Sequence, residues 1–218
     1  MTKAKRNTQR IFNIVITVLT LAGVFLMLRN TDSGTGLTAT GIENLKFYTV
    51  LSNIFCGITA VICLAFDLIR RDRGGVLPRP LIFLKLASAA SVGLTFLVIA
   101  AFLGPIYGHV NLYHGSNLVF HLLLPLAGMA DMCLLYTKDG KGIPFAWTPA
   151  AALPTFAYGS FYLINILVNG VGTWPEGNDW YGFVNWGMPV GICIFAGITA
   201  ASFALAVLLR VLNRRVNR

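Results

Sequence analysis

Six long apolar runs constrain this chain more than any other feature in it. They fall at about residues 11–28, 47–69, 81–103, 117–136, 145–168 and 183–209. As helices rising 1.5 Å per residue, each reaches roughly the thickness of a hydrocarbon core, about 30 Å. Lipid offers no partner for backbone N–H and C=O groups, so runs of this length are read as helices, which satisfy their own. With 56% hydrophobic and only 11% charged residues, a soluble globular domain is excluded. The expected fold is an all-α integral membrane protein, one six-helix transmembrane bundle over residues 1–218.

A net charge of +9 would suit nucleic acid, but the basic residues cluster at the ends of apolar runs. Fourteen of the seventeen Lys and Arg lie in residues 1–10, the 70–79 turn, the 138–141 turn and the tail from Arg210. The alternate connections hold only Arg29 and Lys46, and Lys85 lies within the third run. By the positive-inside rule both termini are cytoplasmic, and no nucleic-acid partner is expected. The first run is read as a retained helix, because LRNTDSGTG follows it and not a small-residue cleavage pattern. Cys56, Cys63, Cys133 and Cys193 all sit inside apolar runs, which gives neither zinc spacing nor an external disulfide framework.

Polar residues inside the runs carry the functional reading, since ionisable groups at membrane depth are costly. In HGSNLVFHLLLPLAGMAD, His114, Asn117 and His121 fall at i, i+3 and i+7, and Gly128 and Asp131 continue the stripe. The second run carries Thr49, Ser52, Asn53 and Cys56 at i, i+3, i+4 and i+7, and the fifth Tyr158, Tyr162, Asn165 and Asn169 at i, i+4, i+7 and i+11. Counted from the expected outer ends, Thr49 lies about 3 Å deep, Asn165 about 5 Å, His121 about 6 Å and Asn53 about 9 Å. Groups from three helices therefore share one shallow layer. Trp174, Trp180, Tyr181 and Trp186 ring it, either as interfacial anchors or as part of a binding rim. Tyr158, Tyr162 and Trp174 are assigned to substrate binding. Asp131 is about 15 Å below His121. Its depth matches that of Lys85, so the two are expected to form a structural ion pair, with a proton relay as the rival role. Asp67 is expected near Arg70 or Arg71.

A hydroxyl beside an imidazole is the minimal nucleophile and base. Thr49 would need His121 to take its proton, and His121 a partner such as Asn117 on its other nitrogen. Asn53, Ser52 or Asn165 would donate to a developing oxyanion. Such a set suits ester cleavage on a lipid-like substrate. The same polar layer also suits polar glue between helices. Haem is disfavoured because His114 and His121 share one run, and HExxH and paired carboxylates are lacking. No metal and no cofactor are expected.

Two patches carry a family resemblance. Lys46-Phe47-Tyr48-Thr49 with Ser52-Asn53, and His121 with Pro125 and Asp131, resemble motifs of the androgen-induced-gene and androgen-dependent TFPI-regulating six-helix membrane proteins, which have many bacterial relatives. Gly172-Thr173-Trp174-Pro175 faintly resembles that family's Gly-x-Trp. The proline sits one place closer to the histidine than in the family pattern, its Tyr-Pro-Phe segment is missing, and Leu118 stands where a second histidine is common. The resemblance implies hydrolysis of fatty acid esters of hydroxy fatty acids, with Thr49 as nucleophile and His121 as base. It also implies a multi-pass cell-membrane protein of the bacterial inner membrane, with lipid substrate and membrane lipids as partners. The alternative is a non-enzymatic membrane ligand-binding protein or small-solute transporter.

Overall fold

The computed structural model describes residues 3–29, 41–69, 76–106, 112–135, 142–173 and 177–217. These residues form helices and turns, and no strand occurs among them. The helices are α1 (Lys3–Arg29), α2 (Tyr48–Ile69), α3 (Arg79–Leu103), α4 (Ser116–Leu134), α5 (Trp147–Ala151), α6 (Leu153–Asn169) and α7 (Met188–Val216), with a 3-10 turn at Gly41–Lys46 before α2. Five of them, α1 to α4 and α7, are long and apolar enough to cross a membrane.

The expected boundaries shift for local reasons. The basic head continues α1 back to Lys3. The 145–168 run divides at Ala152, where φ is −84° and ψ −6°. Pro154 follows, and a proline ring clashes with the carbonyl four residues earlier, here Ala150. The last helix begins at Met188 rather than 183, because residues 179–187 form turns closed by Gly187 at φ 92°. The fourth begins at Ser116, so His114 stands in the turn before it and not on the helix face.

The bundle is apolar outside and buries polar side chains among the apolar ones within, whereas a soluble bundle keeps its surface polar. On α1 the buried residues are Gln9, Asn13, Ile16, Thr20, Gly23 and Met27, alternating steps of four and three that form a packing seam. Ile14, Val18, Leu21 and Phe25 point outward. Exposing large apolar groups while burying Gln and Asn is favourable only in an apolar solvent. Close contacts at small residues hold the seam, as expected where lipid removes the hydrophobic drive between helices. A Cβ on Gly23 would lie 2.4 Å from the Phe120 ring, and one on Gly57 2.4 Å from the Thr20 hydroxyl.

Two π turns interrupt the long helices, at Ile99–Leu103 in α3 and at Val119–Leu123 in α4. Each ends two residues before a proline, Pro105 and Pro125. A proline cannot sit over the carbonyl at i−4, so the helix widens there and bonds i to i+5. The amides of Gly104 and Leu124 accordingly donate to the carbonyls of Ile99 and Val119. His121, four residues before Pro125, is the centre of the second widened turn.

Candidate functional site

Pro125 determines the setting of His121. The ring is 8% exposed, and its Nδ1 lies 2.7 Å from the Leu112 carbonyl in the turn before α4. A carbonyl only accepts, so in the neutral ring Nδ1 carries the proton and Nε2 keeps its lone pair. The tautomer is therefore set by a backbone group and not by Asn117, whose half-buried amide makes no hydrogen bond to the ring.

Thr49 occupies the first turn of α2 and is half-buried, and its hydroxyl has no hydrogen-bond partner among the described residues. Asn53, one turn further on and fully buried, is the link to α4. Its Nδ2 donates to the Thr49 carbonyl at 2.7 Å and to the Phe120 carbonyl at 2.9 Å. One amide nitrogen thus clamps the Thr49 turn to the residue preceding His121. With both hydrogens engaged, Asn53 cannot also donate to an oxyanion, the role expected of it. Ser52 is likewise engaged, with its Oγ 3.0 Å from the Thr49 carbonyl and 3.0 Å from the Thr95 hydroxyl.

At the α2 N-terminus, free helical amides need partners. The Tyr181 hydroxyl supplies one, accepting from the Tyr48 amide at 2.8 Å. Burial pushes the Tyr181 phenol well above its ordinary value, so it stays protonated. The Thr49 amide, next in the same turn, has no intrahelical acceptor by position and points out of the helix end.

The aromatic residues around this end hold the 177–187 turns against α2 and α6. Tyr158 donates to the Lys46 carbonyl at 2.6 Å and accepts from Trp180 Nε1 at 3.1 Å. Tyr162 bonds the Asp179 carboxylate, which also receives the amides of Phe183 and Val184 at 2.9 Å each. Tyr162 is 2% exposed, a loop anchor and not a surface open to substrate. The Tyr158 ring, together with Tyr48, Leu51, Phe55 and Phe161, borders a cleft of about 320 Å³ between α2, α3 and α6. Asn165 donates to Asn178 Oδ1 at 3.2 Å, so it braces the loop and does not join Thr49. Trp174 and His109 lie outside the described residues.

Deeper in the bundle Lys85 pairs with Asp131. Both are almost wholly buried, and the Lys85 ammonium also donates to Asn13 Oδ1 at 2.7 Å. Asp67 pairs with Arg6 and Arg10 of α1; Arg70 and Arg71, expected beside it, lie outside the described residues. Among the described residues no three His, Cys, Asp or Glu side chains gather as metal ligands would.

Sequence reasoning missed Leu112, Thr95 and Asp179. A backbone carbonyl leaves no trace in residue identity. Thr95 ends a Ser88, Ser91, Thr95 series at helical spacing on α3, a signal that was legible. Asp179 two residues before Tyr181 could have been read as a turn cap. No family model, curated protein or solved structure matches the chain. The class defined by the fold is a protein that is all-helical among the described residues, with five helices long and apolar enough to cross a membrane.

Proposed function

We propose that the chain is a six-span cell-membrane hydrolase of lipid esters, with Thr49 as nucleophile and His121 as general base near the outer leaflet. Fatty acid esters of hydroxy fatty acids are the substrate class implied by the resemblance. In this reading α5 and α6 together form the fifth of the six spans. Residues 147–169, turning only at Ala152, cover about 33 Å at the helical rise. Six spans put both termini on one side, the cytoplasmic side by charge asymmetry, in the bacterial inner membrane.

The observation that carries the proposal is the Asn53 clamp, which ties the Thr49 turn to residue 120 while His121 keeps Nε2 free to accept. In the first step Nε2 takes the Thr49 proton as Oγ attacks the ester carbonyl. The oxyanion forms beside the open first turn of α2, where the Thr49 amide and the positive helix end favour negative charge. Collapse expels the alcohol with the proton from His121 and leaves an acyl-threonine. Water, deprotonated by the same nitrogen, then releases the acid and restores Thr49.

The test is turnover of a lipid ester by the purified chain in detergent, with a fluorophosphonate probe for the activated hydroxyl. Thr49→Ala and His121→Ala should each lower turnover by about 100-fold or more and lose probe labelling while the protein stays folded. Thr49→Ser should keep labelling and part of the activity. If folded wild-type protein hydrolyses no lipid ester, the ligand-binding or transport reading replaces this one.

A further inference from the structure

The cleft of about 320 Å³ between α2, α3 and α6 does not stand alone. A second cleft, of about 280 Å³, continues it between α2, α3, α5 and α6, and Phe55 and Pro154 line both. The two make one groove along the side of the bundle. Its lining runs from Ser91 to Phe83 on α3 and from Phe161 to Leu153 on α6. Each stretch covers eight residues, or about 12 Å at the helical rise.

The chain's own side chains leave this groove unfilled. Its floor carries the small buried residues Ala87 and Ser91, while the large ones at its rim, Leu51, Leu153 and Phe161, are exposed. A gap of this kind forfeits the dispersion contacts of every atom lining it. Water would not restore them, because a held water needs two to four polar partners. The second cleft is lined by Phe, Leu, Ala and Pro alone. In the first, Ser52 donates to the Thr49 carbonyl at 3.0 Å, Ser91 to the Ala87 carbonyl at 2.9 Å and Tyr158 to the Lys46 carbonyl at 2.6 Å. The Tyr48 hydroxyl is paired with that of Thr155 at 2.7 Å.

These engagements define the occupant. A carboxylate or phosphate entering the groove would find the hydroxyl hydrogens already committed, and burying it there without donors is costly. Hydrocarbon has no such requirement. The groove opens between exposed apolar side chains, at the level where lipid tails lie in a protein of this class, and its length is most of one leaflet's share of a hydrocarbon core about 30 Å thick. Hydroxyl-bearing residues line only the end near Tyr48, which begins α2 beside the aromatic turns. We infer that this groove is a binding site for one hydrocarbon chain of a membrane lipid, with the lipid's polar end outside it at Tyr48 and the chain's tail in the second cleft, against Ala87 and Ala150. Thr49 lines neither cleft, so the site does not depend on the ester chemistry.

Photolabelling of the full chain in detergent tests it, with a phosphatidylcholine that carries a diazirine either at the tail of one chain or next to its ester. Labelling should saturate with added lipid. The tail probe should mark peptides around Ala87 and Ala150, and the ester-proximal probe those around Leu51 and Phe161. Ala157→Phe places a ring in the groove from an exposed position, and Ala150→Phe does so from α5. Each should lose at least half of the tail labelling, while Leu208→Phe on the exposed face of α7 should lose none. Labelling that does not saturate, or that marks exposed α7 as strongly as the groove, would overturn the site. So would full groove labelling in whichever filling variant stays folded. The two probes marking the groove in the opposite order would overturn the orientation. Absence of lipid label, with a cysteine at Ala157 cross-linking two chains, would make the occupant a second copy instead.

Discussion

Lys85 and Asp131 put two full charges among apolar side chains, where each is tolerable only because the other is in contact. Removing one leaves an uncompensated charge, a loss of about 3–5 kcal/mol in soluble proteins and less within a bilayer. Lys85→Leu or Asp131→Leu alone should therefore lower the unfolding midpoint in detergent clearly. The double replacement should recover much of the loss, though not all, since Asn13 Oδ1 loses the donor it now has at 2.7 Å. Singles as stable as wild type would show that the pair is not structural. Tyr181 gives a pH prediction of opposite character. Its phenol is held well above 10.0 by burial, so past that pH the unfolded chain loses a proton that the folded one keeps. Stability should fall as pH rises from about 9 to 11. Tyr181→Phe should flatten that decline, at the cost of the Tyr48 amide's partner and hence a lower midpoint at neutral pH.

Among the helices, depth was easier to read from sequence than direction. Counting 1.5 Å per residue gives Lys85 and Asp131 comparable levels, and the bundle brings them into contact. The same count places Asn165 with Thr49, yet Asn165 faces Asn178 because the turns before α7 fold back over α6. Where a helix leaves regular geometry the spacing rule also fails. The stripe drawn through His114, Asn117 and His121 assumes one unbroken helix, whereas α4 starts at Ser116 and widens at Val119–Leu123. Both deviations have visible causes, Gly115 at φ 56° and Pro125, but their effect on side-chain direction depends on packing. Pro125→Ala should let α4 close into a regular helix, turning His121 away from the Leu112 carbonyl. The expected outcome is a folded protein with no loss of helix content by circular dichroism and at least about a tenfold lower ester turnover, since misplacement near 1 Å can cost more than that. Unchanged turnover in a folded Pro125→Ala variant would mean that the widened turn does not position the base.

Across the whole molecule, the all-helical class was legible because apolar length is a one-dimensional property, whereas what covers each helix end was not. The two ends are chemically distinct. One carries Arg6, Arg10, Asp67 and Arg214, and the other carries Phe47, Trp180, Tyr181 and Phe183. Basic residues are retained on the cytoplasmic face while aromatic rings favour either interface, so the chemistry of the ends and the count of spans give a joint prediction. In a background lacking the four native cysteines, a cysteine at Asn178 should react with an impermeant thiol reagent on intact cells. Asn178 lies at the aromatic end, and its amide donates to the Gly170 carbonyl at 2.9 Å in an exposed turn. Cysteines at Asn7 and at Arg215 should stay unlabelled until the membrane is permeabilised. The pairing of Asn7 with Arg215 tests the disputed span, because α5 and α6 must cross together if both termini share a side. Labelling at Arg215 but not Asn7 would mean an odd number of crossings, with the break at Ala152 marking a segment that enters the membrane without traversing it. Labelling at Asn7 and Arg215 but not Asn178 would invert the molecule. It would then move Thr49 and His121 to the cytoplasmic leaflet.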